Sequence, residues 1–120
     1  MNAPIFEYCA VDTTVQGLLG TPIRLYAFGE AEQDVKLPYA VWQVVYGSPE
    51  NYLGMRPDAD KYGLQVDVYG ATDTSVRAVV DAMAAALEDH AHITGWDGEM
   101  RDAITRRYRS TFTIYFIVRR

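Results

Sequence analysis

The sequence predicts an α+β domain: a mainly antiparallel sheet of four to five strands with two helices packed on one face. Three observations carry this expectation. Val76, Val79, Val80, Met83 and Leu87 recur at helical spacing. Residues 62–69 and 108–118 alternate as strands do. Most neighbouring strands are joined by loops, which favours hairpins and a two-layer arrangement.

Each element has its own local reason. Pro4 suits a first helical turn, and Ile5, Tyr8, Cys9 and Val11 follow at helical spacing. Asp12 or Thr13 caps a continuation through Val15, Leu18 and Leu19, and Gly20 ends it before Pro22. The reading is one N-terminal helix with a candidate break near Asp12. Ile23, Leu25 and Ala27 alternate with Arg24, Tyr26 and Phe28 as a short strand. After an acidic loop, residues 39–46 are β-branched and aromatic with little polar alternation, so a strand covered on both faces is expected. In residues 62–69, Leu64, Val66 and Val68 point one way, and Gln65, Asp67 and Tyr69 the other.

Thr72 or Asp73 caps a helix reaching about His90. Arg77, Asp81 and Glu88 lie opposite its apolar stripe, with Arg77 and Asp81 set as an i,i+4 pair. Residues 93–96 form a short strand ended by Asp97 and Gly98. The last strand puts Tyr108, Ser110, Phe112, Ile114, Phe116 and Val118 on one face, and Arg109, Thr111, Thr113, Tyr115 and Ile117 on the other.

The 120 residues suit one domain, residues 1–120, able to bury roughly two-thirds of its unfolded surface. The net charge is −5 and unevenly placed. Residues 1–60 carry three bases against eight acids, while residues 61–120 carry eight of each. Such a chain is a poor binder of phosphate backbones, so no sequence-specific nucleic acid is expected. Arg106, Arg107, Arg109, Arg119 and Arg120 nonetheless make a basic C-terminal segment. One reading is a solvated strand edge. Another is a subunit with an acidic side, at Glu30, Glu32 and Asp34, and a basic side at Arg106, Arg107 and Arg109, suited to head-to-tail packing.

The single cysteine, Cys9, cannot form an intrachain disulfide and reads as a small buried hydrophobe in a reducing compartment. No basic leader followed by an apolar core opens the chain, and no apolar run approaches the roughly 20 residues needed to cross a bilayer. A membrane partner is not expected.

Residues 47–61 lie between two strands and are long for a hairpin loop. Either the strands run further into the segment and the turn is short, or this is an arm meeting another subunit. Tyr52, Leu53, Met55 and Arg56 are then its candidate contacts.

Signals for chemistry are weak. His90 and His92 flank one residue at a helix end and lack a clear third ligand. Asp58 and Asp60 read as a solvated loop, and no phosphate-binding or nucleophile motif is present. No catalytic residue, cofactor or metal is expected. A rival reading is a ligand-binding or enzymatic α+β domain with a cleft lined by Tyr52, His90, His92 and Trp96.

The stretch from Tyr62 to Leu87, opening YGLQVDVYGATDTSVRAVVDAM, resembles the strand-turn-helix signature of the phage tail completion family, also called tail terminators. The opening helix from Pro4-Ile5-Phe6 to Leu18-Leu19-Gly20, the segments Arg24-Leu25-Tyr26 and Leu37-Pro38-Tyr39-Ala40-Val41-Trp42, and the last strand fit the same family. The resemblance covers nearly the whole chain through diffuse patterns. It implies a structural component of a long-tailed phage or prophage, assembled in the host cytoplasm and carried in the virion. It implies a homo-oligomeric ring, typically a hexamer, on the head-proximal end of the tail tube. The ring would stop tube polymerisation and offer a surface to a head connector or head-closure protein. Another head–tail neck protein would share these features. The family brings no catalytic residue.

Overall fold

Asp12 divides the N-terminal helical segment. Its backbone is extended, and its carboxylate accepts from the N–H groups of Thr14 and Val15 at 2.9 and 3.0 Å. One residue thereby ends α1 (Ile5–Ala10) and starts α2 (Thr13–Leu19). Gly20 closes α2 at φ 88°, a region open to glycine. The computed structural model describes residues 4–31, 34–49 and 59–119. Among these there are three helices where the sequence suggests two.

The third, α3 (Asp73–Leu87), is capped by the Thr72 hydroxyl, which accepts from Ser75 N–H at 3.0 Å. It stops short of His90, because the N–H groups of His90 and Ala91 both turn back to the Leu87 carbonyl at 2.9 Å. Its expected stripe, Val76, Val79, Val80, Met83 and Leu87, is buried throughout.

Five strands form one mixed sheet: β1 (Leu25–Ala27), β2 (Tyr39–Pro49), β3 (Ala59–Gly70), β4 (His92–Arg101) and β5 (Tyr108–Arg119). Their order is β1-β2-β3-β5-β4. Among the described residues, β1 and β2 pair in parallel and the other pairings are antiparallel. The hairpin strands run further than their alternation suggests, to Ser48 opposite Lys61 and Pro49 opposite Asp60. The connection left between them, residues 50–58, lies outside the described residues, as do Glu32, Tyr52, Leu53, Met55, Arg56 and Asp58.

Two further expectations are corrected. The fourth strand does not end at Asp97 and Gly98. Register shifts between Ile93 and Gly95 and between Trp96 and Gly98, with Gly98 at φ 111°, absorb the turn-like residues and let β4 continue. Nor is β2 covered on both faces. Tyr39 and Ala40 are buried, but Val45 and Tyr46 are 47% and 43% exposed. Beyond Trp42 the strand has outrun β1, and α3 packs over β3 and β5 instead.

The core lies between sheet and helices. Leu64, Val66, Val68, Phe112, Ile114 and Phe116 meet Ile5, Cys9, Val15, Leu19, Val76, Val79, Met83 and Leu87. Full burial of each large side chain contributes about 1.5–3 kcal/mol. These sheet residues share one face, so the alternation read in β3 and β5 is the alternation observed.

Candidate assembly surface

The other face of the sheet is built from the intervening positions. Tyr39, Val41 and Gln43 of β2 stand opposite Tyr69, Asp67 and Gln65 of β3. Those three in turn face Arg109, Thr111 and Thr113 of β5. The centre is polar and internally bonded. The Thr111 hydroxyl donates to Asp67 at 2.5 Å, and Thr113 hydrogen-bonds Asp97.

Tyrosines mark both ends of this face. At one end, the Tyr39 ring stacks on Tyr69 at 5.0 Å and meets Tyr26 at 6.5 Å. Burial and the charge of Asp67 push the Tyr69 phenol up, while its hydrogen bond with Arg109 pulls it back. At the other end, Tyr115 is flanked by His92, 4.8 Å between centroids, and by the Lys61 ammonium 4.1 Å from its ring centroid. Tyr46 lies across Gly63, where a Cβ would come within 2.0 Å of its ring. Tyr39 itself is buried, but the partly exposed rings of Tyr26, Tyr46, Tyr69 and Tyr115, large with polar tips, suit protein–protein contact.

The basic residues gather at the first end through the turn between β4 and β5. The Asp102 carboxylate accepts from Ile104 and Thr105 N–H at 2.8 and 3.1 Å. Those backbone bonds, Thr105 foremost, hold its carboxyl below the usual range, with a smaller contribution from Arg107. Arg106 adopts φ 59°, and Arg107 reaches back to β2, donating to the Tyr39 hydroxyl at 3.3 Å. Arg109, two residues on, contacts the Met100 sulfur. Tyr69, Met100, Asp102, Thr105, Arg107 and Arg109 enclose a notch of about 190 Å³.

Glu30 and Asp34 are exposed in the segment after β1. Among the described residues, no ion pair joins them to Arg106, Arg107 or Arg109; the pairs present belong to Arg77. Arg77 itself departs from expectation. It binds Glu99 at 2.9 Å and Asp73 at 3.8 Å rather than Asp81, because β4 brings Glu99 alongside α3.

The features weighed for chemistry are dispersed. His90 stacks on Tyr8 at 3.8 Å, whereas His92 stacks on Tyr115. Trp96 packs toward Phe112 on the helix side of β4, the face opposite His92, so His92 and Trp96 line no common cleft. Among the described residues, no group of His, Cys, Asp or Glu could hold a metal ion. Cys9 is fully buried, and burial pushes its thiol up to about 12, the reverse of an activated nucleophile. No helix is long and apolar enough to cross a membrane among the described residues. The tyrosine rows escape a sequence reading because they need the pairing of β2, β3 and β5. The one available signal was that Tyr69 and Tyr115 sit at polar-face positions of alternating strands.

A comparison with curated proteins gives no match. Among solved structures, a chain from the virion of a native gene transfer agent particle shares the fold. It has a TM-score of 0.62 at 13% identity and covers 97% of this chain and 92% of its own. The pattern of the family described as tail completion protein gp17 matches residues 3–119. The chain belongs to that family, the tail completion proteins, which are structural proteins of the phage virion.

Proposed function

We propose that the protein forms a homo-oligomeric ring, a hexamer, on the head-proximal end of a tail tube. There it ends tube polymerisation and presents a surface to the head connector or head-closure protein. Family membership over residues 3–119 is the observation that carries this reading. The charge distribution supports it. A closed ring needs two different, complementary patches on each subunit, since a self-complementary patch closes as a dimer. Glu30, Glu32 and Asp34 supply an acidic patch, and Arg106, Arg107 and Arg109 a basic one. Exposed ion pairs contribute only about 0–1 kcal/mol each, so charge sets register and steers encounter. Apolar contact, to which Tyr52, Leu53 and Met55 are candidates together with Arg56, supplies affinity.

The test is tube assembly in the presence of purified protein, followed by electron microscopy. Added protein is expected to arrest growth and to sit as a ring on one tube end. Unrestrained tubes without terminal density would overturn the reading. Density on the isolated head connector alone would place the protein among the other neck components.

A further inference from the structure

We infer that the notch beside the β4–β5 turn is a carboxylate-binding site, and that its occupant is an acidic side chain from residues 30–34 of a second copy. The identity of the occupant rests on the ring reading above; the chemistry of the notch does not.

Arg109, in β5, pairs with Tyr69 on the outer face of the sheet, and Arg107, just before β5, reaches the Tyr39 hydroxyl on that same side. Both are half-buried, and both have neutral partners: the Tyr39 hydroxyl for Arg107, the Met100 sulfur and Tyr69 phenol for Arg109. A guanidinium has five donors in a fixed fork, so these contacts leave most of each fork unused. Asp102, the one carboxylate among the described residues lining the notch, offsets part of the arginine charge through its attraction to Arg107, while its Oδ1 accepts from the N–H groups of Ile104 and Thr105. Arg106 beside it adds a further exposed charge. The turn therefore holds an excess of positive charge fixed in place before any partner arrives. A planar, bidentate acceptor is what such forks fit best, and half-burial makes the bond stronger than one on an open surface. The cavity of about 190 Å³ has room for an acidic side chain.

The complementary patch is on the same molecule and is unused there. Glu30 and Asp34 are exposed and form no ion pair among the described residues. A segment spanning 29–35, Gly-Glu-Ala-Glu-Gln-Asp-Val, carries three acids and no base. One subunit thus holds a cationic notch and, at Glu30 and Asp34, exposed carboxylates, the two halves of a heterologous contact.

The probe is a synthetic peptide of residues 29–35, titrated into the isotope-labelled whole protein while the arginine Nε–H resonances are followed. Saturable shifts at Arg107 and Arg109 are expected. They should vanish with a peptide carrying Glu30→Gln, Glu32→Gln and Asp34→Asn, and weaken several-fold in an Arg109→Lys protein, whose ammonium lacks the fork. Equal shifts with the amide peptide, or none with the acidic one, would overturn the site. Capping separates the two claims. Normal tube capping by an Arg107→Gln/Arg109→Gln protein removes the notch while leaving the ring reading intact. Specific peptide binding by a protein that never arrests tubes does the reverse.

Discussion

Arg77 in α3 holds Glu99 in β4 through two bonds, Nε to Oε2 at 2.9 Å and Nη2 to Oε1 at 3.2 Å. The pair spans the gap between the helix layer and the edge strand, with cavities of about 320 and 260 Å³ on its two sides. α3 otherwise packs on β3 and β5. Glu99→Gln should therefore loosen β4 alone. Hydrogen exchange is expected to quicken at residues 96–101 and to stay slow at Leu64, Val66 and Val68. High salt should reproduce the effect in the parent protein, because both partners are exposed and screened. Unchanged exchange in β4 would show that its bond to β5 suffices.

Phe112 is fully buried at the centre of the sheet, with Trp96 5.8 Å away on one side. Phe112→Ala should cost about 3–5 kcal/mol, from lost transfer free energy plus the cavity left behind. Denaturant titration is expected to show a lower midpoint with an unchanged slope. A loss below about 1 kcal/mol would mean that α3 and β4 collapse into the space.

Local chemistry explains which of these relationships the sequence discloses. Alternation fixes the faces of β3 and β5 without knowledge of their partners, so Leu64, Val66, Phe112 and Ile114 were readable as core. The Asp12 cap is equally local. What failed depends on partners distant in sequence. Asp97 and Gly98 have the composition of a turn, and only pairing with β5 makes them a bulge. Arg77 has carboxylates at 73 and 81 on its own helix, yet its best partner is at 99, across the fold. The candidate notch shows the same split. The arginines at 106, 107 and 109 are visible as a charge run, but Tyr69 in the notch wall, with Tyr39 stacked on it, needs the register of β2 on β3.

Cys9 makes stability fall at alkaline pH. Its folded pKa, about 12, stands above the ordinary 9.0, so the unfolded chain loses the proton first. The contribution is fully present below pH 9.0 and is lost as pH rises toward about 12. Cys9→Ala should flatten the stability profile across that window relative to the parent. In the native protein at neutral pH, a thiol reagent should react only as fast as the fold opens. Rapid labelling without unfolding would contradict the burial of α1 on the sheet.

Gly63 has Tyr46 directly over it, and an added Cβ would lie 2.0 Å from the ring. Tyr46 is 43% exposed, so its ring can swing into solvent rather than push β2 off β3. Gly63→Ala should therefore change the outer face while leaving the core in place. The check is a double-mutant cycle with Tyr46→Ala. The cost of Gly63→Ala is expected to disappear once the ring is gone; an undiminished cost would locate the clash in the backbone.

Arg106 offers a way to remove charge without disturbing the turn. Its φ of 59° is unfavourable for a side-chain-bearing residue, by about 1 kcal/mol, and glycine relieves that. Glycine also gives the unfolded chain more freedom, worth about 0.5–1 kcal/mol in the opposite sense. The two effects nearly cancel, so Arg106→Gly should fold with the parent's denaturation midpoint. The bonds from Asp102 to Ile104 and Thr105 do not involve the Arg106 side chain and should persist. Any loss in tube capping by this variant then measures charge alone, and is expected to be smaller than that of Arg107→Gln/Arg109→Gln because Arg106 stands outside the notch. Arg106→Val is the control. A β-branched residue resists this φ, so both midpoint and capping should fall. Equal capping loss in the glycine variant and the notch variant would mean that general attraction, rather than a shaped carboxylate site, guides the subunits together.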